Sequence, residues 1–169
     1  MNLNEIHLTA QLVATLYEHT LIESDAGPAT ERTQPLPDIR KARHLGNFDR
    51  QVLVIVNNGG VAFIEDQELQ FFTNVLTACR LGLADIAIVN INGLQPNEPS
   101  LLIGEMAPRH VILFGVLPLD IDLPMNFPEF QVQQFNKCTY LHAPALKTIE
   151  RDKQLKARLW ASLKQLFGL

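Results

Sequence analysis

Apolar positions along the chain follow two alternating patterns. Residues 51–57 (QVLVIVN), 85–91 (DIAIVNI), 110–116 (HVILFGV) and 137–141 (KCTYL) are short, nearly continuous runs rich in β-branched residues. Such runs predict strands buried on both faces of a parallel sheet. Between them the spacing becomes helical. Leu69, Phe72, Leu76 and Cys79 form one stripe that begins near Glu65-Asp66 and ends at Gly82, which predicts a helix closed by glycine. Ser100 reads as the N-cap of a short helix over residues 101–107 that Pro108 ends. Residues 120–129, with Pro124 and Pro128, read as an irregular connection, and a last helix over residues 152–167 places Leu155, Leu159, Leu163 and Leu166 on one face.

Strands alternating with helices of crossover length fold, by the handedness rule, into a parallel sheet with helices on both faces. The expected class is α/β, a three-layer α/β/α sandwich around a central, mostly parallel four-stranded sheet spanning residues 50–169. Residues 1–49 read differently. Ile6, Leu12, Val13, Leu16, Tyr17 and Leu21 give an amphipathic helix over residues 4–22, and Pro28, Pro35 and Pro37 mark a linker after it. That helix packs on its own domain or docks on a partner, with Leu12, Leu16 and Tyr17 as the contacts.

Charge and composition narrow the function classes. The 169 residues carry 14 Lys and Arg against 18 Asp and Glu, a net charge of -4, which excludes the strong basic field of a duplex-coating protein. The average hides a local strip: Lys147, Arg151, Lys153, Lys156, Arg158 and Lys164 lie close together, facing only Glu150 and Asp152. It reads either as a solvated helix face or as an approach for phosphate or an acidic partner. Two cysteines, Cys79 and Cys138, are too few for a disulfide scaffold, a four-cysteine zinc site or a cysteine-ligated iron–sulfur cluster, and point to a reducing compartment. His7, His19, His44 and His110 show no metal spacing, so neither a metal nor a cofactor is expected. No apolar run approaches the ~20 residues of a membrane span, and the first twenty residues lack a secretory pattern. The expectation is a cytoplasmic protein.

In a parallel sheet the binding crevice lies beyond the carboxyl ends of the strands. That directs attention to Asn57-Asn58-Gly59-Gly60, to Asn90, and to His142 at the end of the fourth predicted strand. The Asn-Gly-Gly loop is either a tight turn or a cradle whose backbone N–H groups meet an anion or a base. It lacks the Lys-Ser/Thr of a Walker loop and the third glycine of a dinucleotide fingerprint. His142 is either a satisfied structural histidine or a donor to a developing anion. Ser24, Ser100 and Ser162 lack the glycine-flanked elbow of a serine nucleophile.

The order of these segments resembles the uracil-DNA glycosylase superfamily, closest in layout to the psi subunits of bacterial DNA polymerase III holoenzyme. The resemblance spans roughly residues 51–166. VLVIVNNGGVAFIEDQELQFFTNVLTACRLGLADIAIVNI looks like the glycosylases' first motif block, PRHVILFG is similar to their strand ending in glycine, and LHAPALKTIERDKQLKARLWASLKQL resembles their His-Pro-Ser loop and basic helix. Psi subunits share the Pro-Ala-Leu after the last strand and a pattern like Arg158-Leu159-Trp160. The chain departs from the active members. It has neither proline nor acid in the Asn57–Gly60 loop, and His142-Ala143-Pro144 shifts the proline by one place.

The leading expectation is a non-catalytic connector that bridges clamp-loader and chi-like replication subunits and meets DNA only indirectly or weakly. The second is a divergent base-excision enzyme in which Asn57 or Asn58 positions water and His142 stabilises the departing uracil anion. The third is a nucleotide- or nucleic-acid-binding module that uses Asn57, Asn58, Gly59, Gly60, Asn90 and His142 without chemistry.

Overall fold

The computed structural model describes residues 44–169; the helix expected over residues 4–22, with Leu12, Leu16 and Tyr17, lies outside the described residues. The elements run β1 (Val52–Val56), α1 (Asp66–Ala78), β2 (Ile86–Asn90), α2 (Glu98–Met106), β3 (His110–Phe114), β4 (Val132–Phe135), β5 (Cys138–Ala143), α3 (Leu146–Arg151) and α4 (Lys153–Phe167). Short 3-10 turns occupy Leu83–Asp85 and Pro118–Ile121. Among the described residues no helix is long and apolar enough to cross a membrane.

The α/β class and the mostly parallel sheet are as expected, but the sheet has five strands rather than four, in the order β2-β1-β3-β5-β4. Four pair in parallel, and β4 joins β5 antiparallel at the edge. The added strand is short and polar, with Val132 and Phe135 half-buried and Gln133 and Gln134 exposed, so it offers no continuous apolar run. The turn into β5 is Asn136-Lys137, both at positive φ (48° and 63°). That is type I′ geometry, which matches the twist of a hairpin.

The order of strands fixes the layers. β1 leads to β2 on one side, and β2 leads back across β1 to β3, so two right-handed crossovers must lie on opposite faces. Phe72 and Leu76 of α1 accordingly pack with Val52, Val54 and Val56, joined by Leu159, Leu163 and Leu166 of α4. Leu102 of α2 packs on the opposite face with Leu53 and Ile55, beside Ile121, Leu123 and Phe127 from the connection after β3. The Phe72 and Phe114 rings meet edge to face, centroids 5.4 Å apart.

The helices depart from the sequence reading in two places. The N-cap of α2 is Asn97 rather than Ser100; Ser100 sits one turn inside, and its hydroxyl lies 2.8 Å from Asp122 Oδ2 and 3.0 Å from the Asn97 carbonyl. The last helix begins at Asp152 as expected, but a short helix that the reading did not include, α3, precedes it. Asp152 separates them, its carboxylate accepting from the N–H groups of Gln154 (2.7 Å) and Leu155 (3.2 Å) and so satisfying donors that would be orphaned at the start of α4.

The last residues before β1 fasten to the sheet. Leu45 exchanges backbone hydrogen bonds with Ile88 (2.9 and 2.8 Å), and Phe48 N–H donates to Ile86 O (3.0 Å), so this segment covers the outer edge of β2. Gly46 makes the approach possible. Its φ is +106°, and a Cβ there would overlap the carbonyl oxygens of Leu83 and Ile86.

Two substitutions test these packing claims by urea unfolding. Phe72→Ala removes a fully buried ring and is expected to cost about 3–5 kcal/mol. Gly46→Ala is expected to cost roughly 1–3 kcal/mol, while the exposed Leu119→Ala stays within about 0.5 kcal/mol of the parent.

Candidate functional site

The strand order reverses beside β1, so the crevice forms where the chain leaves β1 toward one face and β3 toward the other. The Asn57–Gly60 loop lies there as the sequence suggested, and its asparagine side chains are hydrogen-bonded. Asn90, the last residue of β2, grips the loop: its Oδ1 accepts from Asn58 N–H (3.0 Å) and its Nδ2 donates to the carbonyls of Asn58 (2.7 Å) and Val61 (2.9 Å). The same Oδ1 accepts from Asn92 N–H (3.0 Å), and Asn92 Nδ2 donates to Asn57 Oδ1 (3.2 Å). An amide side chain here extends the β1–β2 ladder beyond its last backbone pair. Asn58 Nδ2 in turn donates to Glu68 Oε2 at 2.8 Å, tying the loop to the first turn of α1. Gly59 and Gly60 are exposed.

His142 goes elsewhere. It pairs in register with Leu113 and is 7% exposed. Its ring stands edge to face with Phe127, centroids 6.2 Å apart, and its carbonyl accepts from Phe130 N–H at 2.7 Å. Leu113 and Phe127 belong to the core beneath α2, whereas Glu68, the partner of the Asn58 side chain, belongs to α1 on the other face. The side chains of His142 and Asn58 are therefore turned to opposite faces of the sheet.

The basic strip divides. Lys156 lies over the Phe71 ring (5.4 Å), Arg158 over Phe130 (4.6 Å) and Lys164 over Trp160 (5.2 Å); each lays its stem along the apolar rim of α4. Lys153 is exposed. Only Lys147 and Arg151, both on α3, reach the crevice. With Glu65, Gln67, Glu68 and Glu150 they line a cavity of about 180 Å³ between α3 and the start of α1. Gly115, at the end of β3 with φ +65°, lets the chain after β5 pass close by; a Cβ there would lie 3.1 Å from that of Ala145.

No protein-family model matches the chain, and no curated protein matches it. The site is therefore described by its own chemistry. Glu68 is its least expected member, a carboxylate only 5% exposed. The sequence reading passed over it because a glutamate in the first turn of a helix is ordinary on a solvated face. The signal was its place between Ile64 and Leu69, on the inward side of the stripe.

Burial pushes the thiols of Cys79 and Cys138 above their usual range, leaving both protonated at neutral pH and poor as nucleophiles. Among the described residues no group of His, Cys, Asp and Glu is arranged to hold a metal ion. His110, at the start of β3, stands edge to face with Phe167 (5.4 Å). Burial, aided by the neighbouring Arg109 charge, holds its imidazole below the usual 6.5.

Two outcomes follow. Asn90→Ala removes two donated and two accepted hydrogen bonds and is expected to destabilise by about 2–3 kcal/mol in urea unfolding, against less than about 0.5 kcal/mol for the exposed Asn92→Ala. For His110, the unfolded chain takes up a proton near pH 6.5 while the folded protein resists it to lower pH. The contribution is thus fully present above 6.5 and is lost as pH falls through that value toward the folded pKa. Stability measured downward from neutrality is expected to fall more steeply for the parent than for His110→Gln.

Proposed function

We propose that this chain is a non-catalytic, glycosylase-like connector subunit, similar to the psi subunits of DNA polymerase III, that bridges clamp-loader and chi-like replication proteins. The observation that carries the reading is the divergence of two of the candidate catalytic groups, Asn58 and His142. His142 is packed against Phe127 on one face, and Asn58 is bound to Glu68 on the other. Base excision requires a water-positioning group and an anion-stabilising group around one flipped base, and Asn58 and His142, turned to opposite faces, do not form that pocket together. Asn57, Asn58 and Asn90 serve instead to fasten the loop after β1.

The surface supports the same reading. Leu101, Leu117 and Leu119 are 59%, 54% and 62% exposed, on α2 and around the turn after β3, which pack together. Exposed apolar side chains brought together in this way are characteristic of surfaces that meet other proteins.

Affinity capture of the full chain from its native cell tests the proposal. Clamp-loader subunits are expected in the eluate and are expected to disappear when residues 1–22 are deleted; their absence from the full-length capture overturns it. In parallel, purified protein free of host glycosylase is expected to release no uracil from single- or double-stranded DNA. Release that His142→Ala abolishes would establish the base-excision enzyme instead.

A further inference from the structure

The carboxylate of Glu68 is 5% exposed. Among the described residues its one hydrogen bond comes from Asn58 Nδ2, and it has no ion-pair partner. Oε2 takes that bond, and the rest of an ionised carboxylate's roughly four acceptor sites open onto the cavity that Glu68 lines. Glu68 lines the cavity of about 180 Å³ between α1 and α3. Glu65, also on the α1 side, adds a second carboxylate to that wall. The α3 side offers Lys147 and Arg151, one helical turn apart and so neighbours on the helix surface, with Glu150 beside them.

The cavity thus has an anionic wall and a largely cationic wall, and the charges on each have no ion-pair partner among the described residues. A lone amine would answer Glu68 and leave the α3 cations facing each other; a lone carboxylate would do the reverse. A molecule carrying both groups a few bonds apart answers both. At about 180 Å³, the cavity has room for a molecule of a few heavy atoms. Its position, beyond the carboxyl ends of β1 and β5, is where open parallel sheets hold ligands.

We propose that this cavity binds a free α-amino acid with a short side chain. Its ammonium donates to the open acceptor sites of Glu68 and to Glu65, and its carboxylate is held by the Arg151 guanidinium, which matches a carboxylate in two parallel bonds, with Lys147 beside it. The site goes beyond the connector role and stands independently of it, since it rests on the cavity and not on partner proteins.

Isothermal titration of the full-length protein with L-alanine, ethylamine and propionate tests the assignment. L-Alanine is expected to bind at least about tenfold more tightly than either single-function probe. Glu68→Gln retains an oxygen that can accept from Asn58 while removing the charge, and is expected to weaken L-alanine about tenfold, as is Arg151→Ala. Lys156→Ala, outside the cavity, is expected to leave the affinity unchanged. Should Glu68→Gln fail to fold, Arg151→Ala, on the exposed side of α3, carries the test. No binding of L-alanine, equal binding of ethylamine or propionate, or an affinity that Arg151→Ala leaves unchanged overturns the proposal.

Discussion

β1 has no face turned to water. Val52, Leu53, Val54, Ile55 and Val56 are each at most 2% exposed, and strands lie on both sides of them. A strand in that position must be covered by chain from both directions, and its backbone groups must find partners on both edges. The remaining architecture answers these demands. α1 and α4 cover one face, α2 and the connection after β3 cover the other, and β2 and β3 close the edges. Because right-handed crossovers send α1 and α2 to opposite faces, burying β1 also opens the crevice at its carboxyl end.

The crevice carries the polar consequence. A strand that ends in the middle of a sheet leaves its last backbone groups beyond the reach of the neighbouring ladder. At β1 the Asn90 amide takes over, standing in for a backbone donor and acceptor toward Asn58. One side chain then fixes the conformation of the loop, and the loop fixes Asn58, which reaches Glu68 at the start of α1. The path from core to cavity wall is continuous. Asn57, Asn58 and Asn90 are each hydrogen-bonded within or beside this turn.

Legibility in the sequence followed the strength of each physical signal. The four parallel strands and α1 were readable because burial forces long apolar runs or a clean stripe, and the structure bounds them within about one or two residues of the reading at most ends. β4 was not readable. An edge strand exposes one side, so Gln133 and Gln134 are acceptable there, and its turn uses Asn136-Lys137 rather than a glycine pair that would have announced a hairpin. The start of α4 at Asp152 was legible, but α3 before it was not, since six residues are too few to show a clear apolar stripe. The position of the crevice and its Asn57–Gly60 and Asn90 members were legible from topology, but Glu68 and the direction of His142 were not. Which way His142 points depends on strand register, and a slip of one residue exchanges the faces.

The cationic residues show why sequence proximity misleads about function. Six cations within eighteen positions (147–164) suggested one surface, yet helical geometry and the break at Asp152 deal them to different tasks. Lys156 and Arg158 fall on either flank of the buried face of α4, where each covers the edge of an aromatic ring, Phe71 or Phe130, that the core does not enclose. Their charges stay in water while their stems extend the apolar layer. Lys147 and Arg151 precede the break, on a short helix packed against α1, and so line a cavity with Glu65, Glu68 and Glu150 instead of covering rings. The same residue type thus stabilises the fold on one side of Asp152 and defines the cavity on the other. The difference comes from where the helix axis changes, a property of packing that no count of charges along the chain contains.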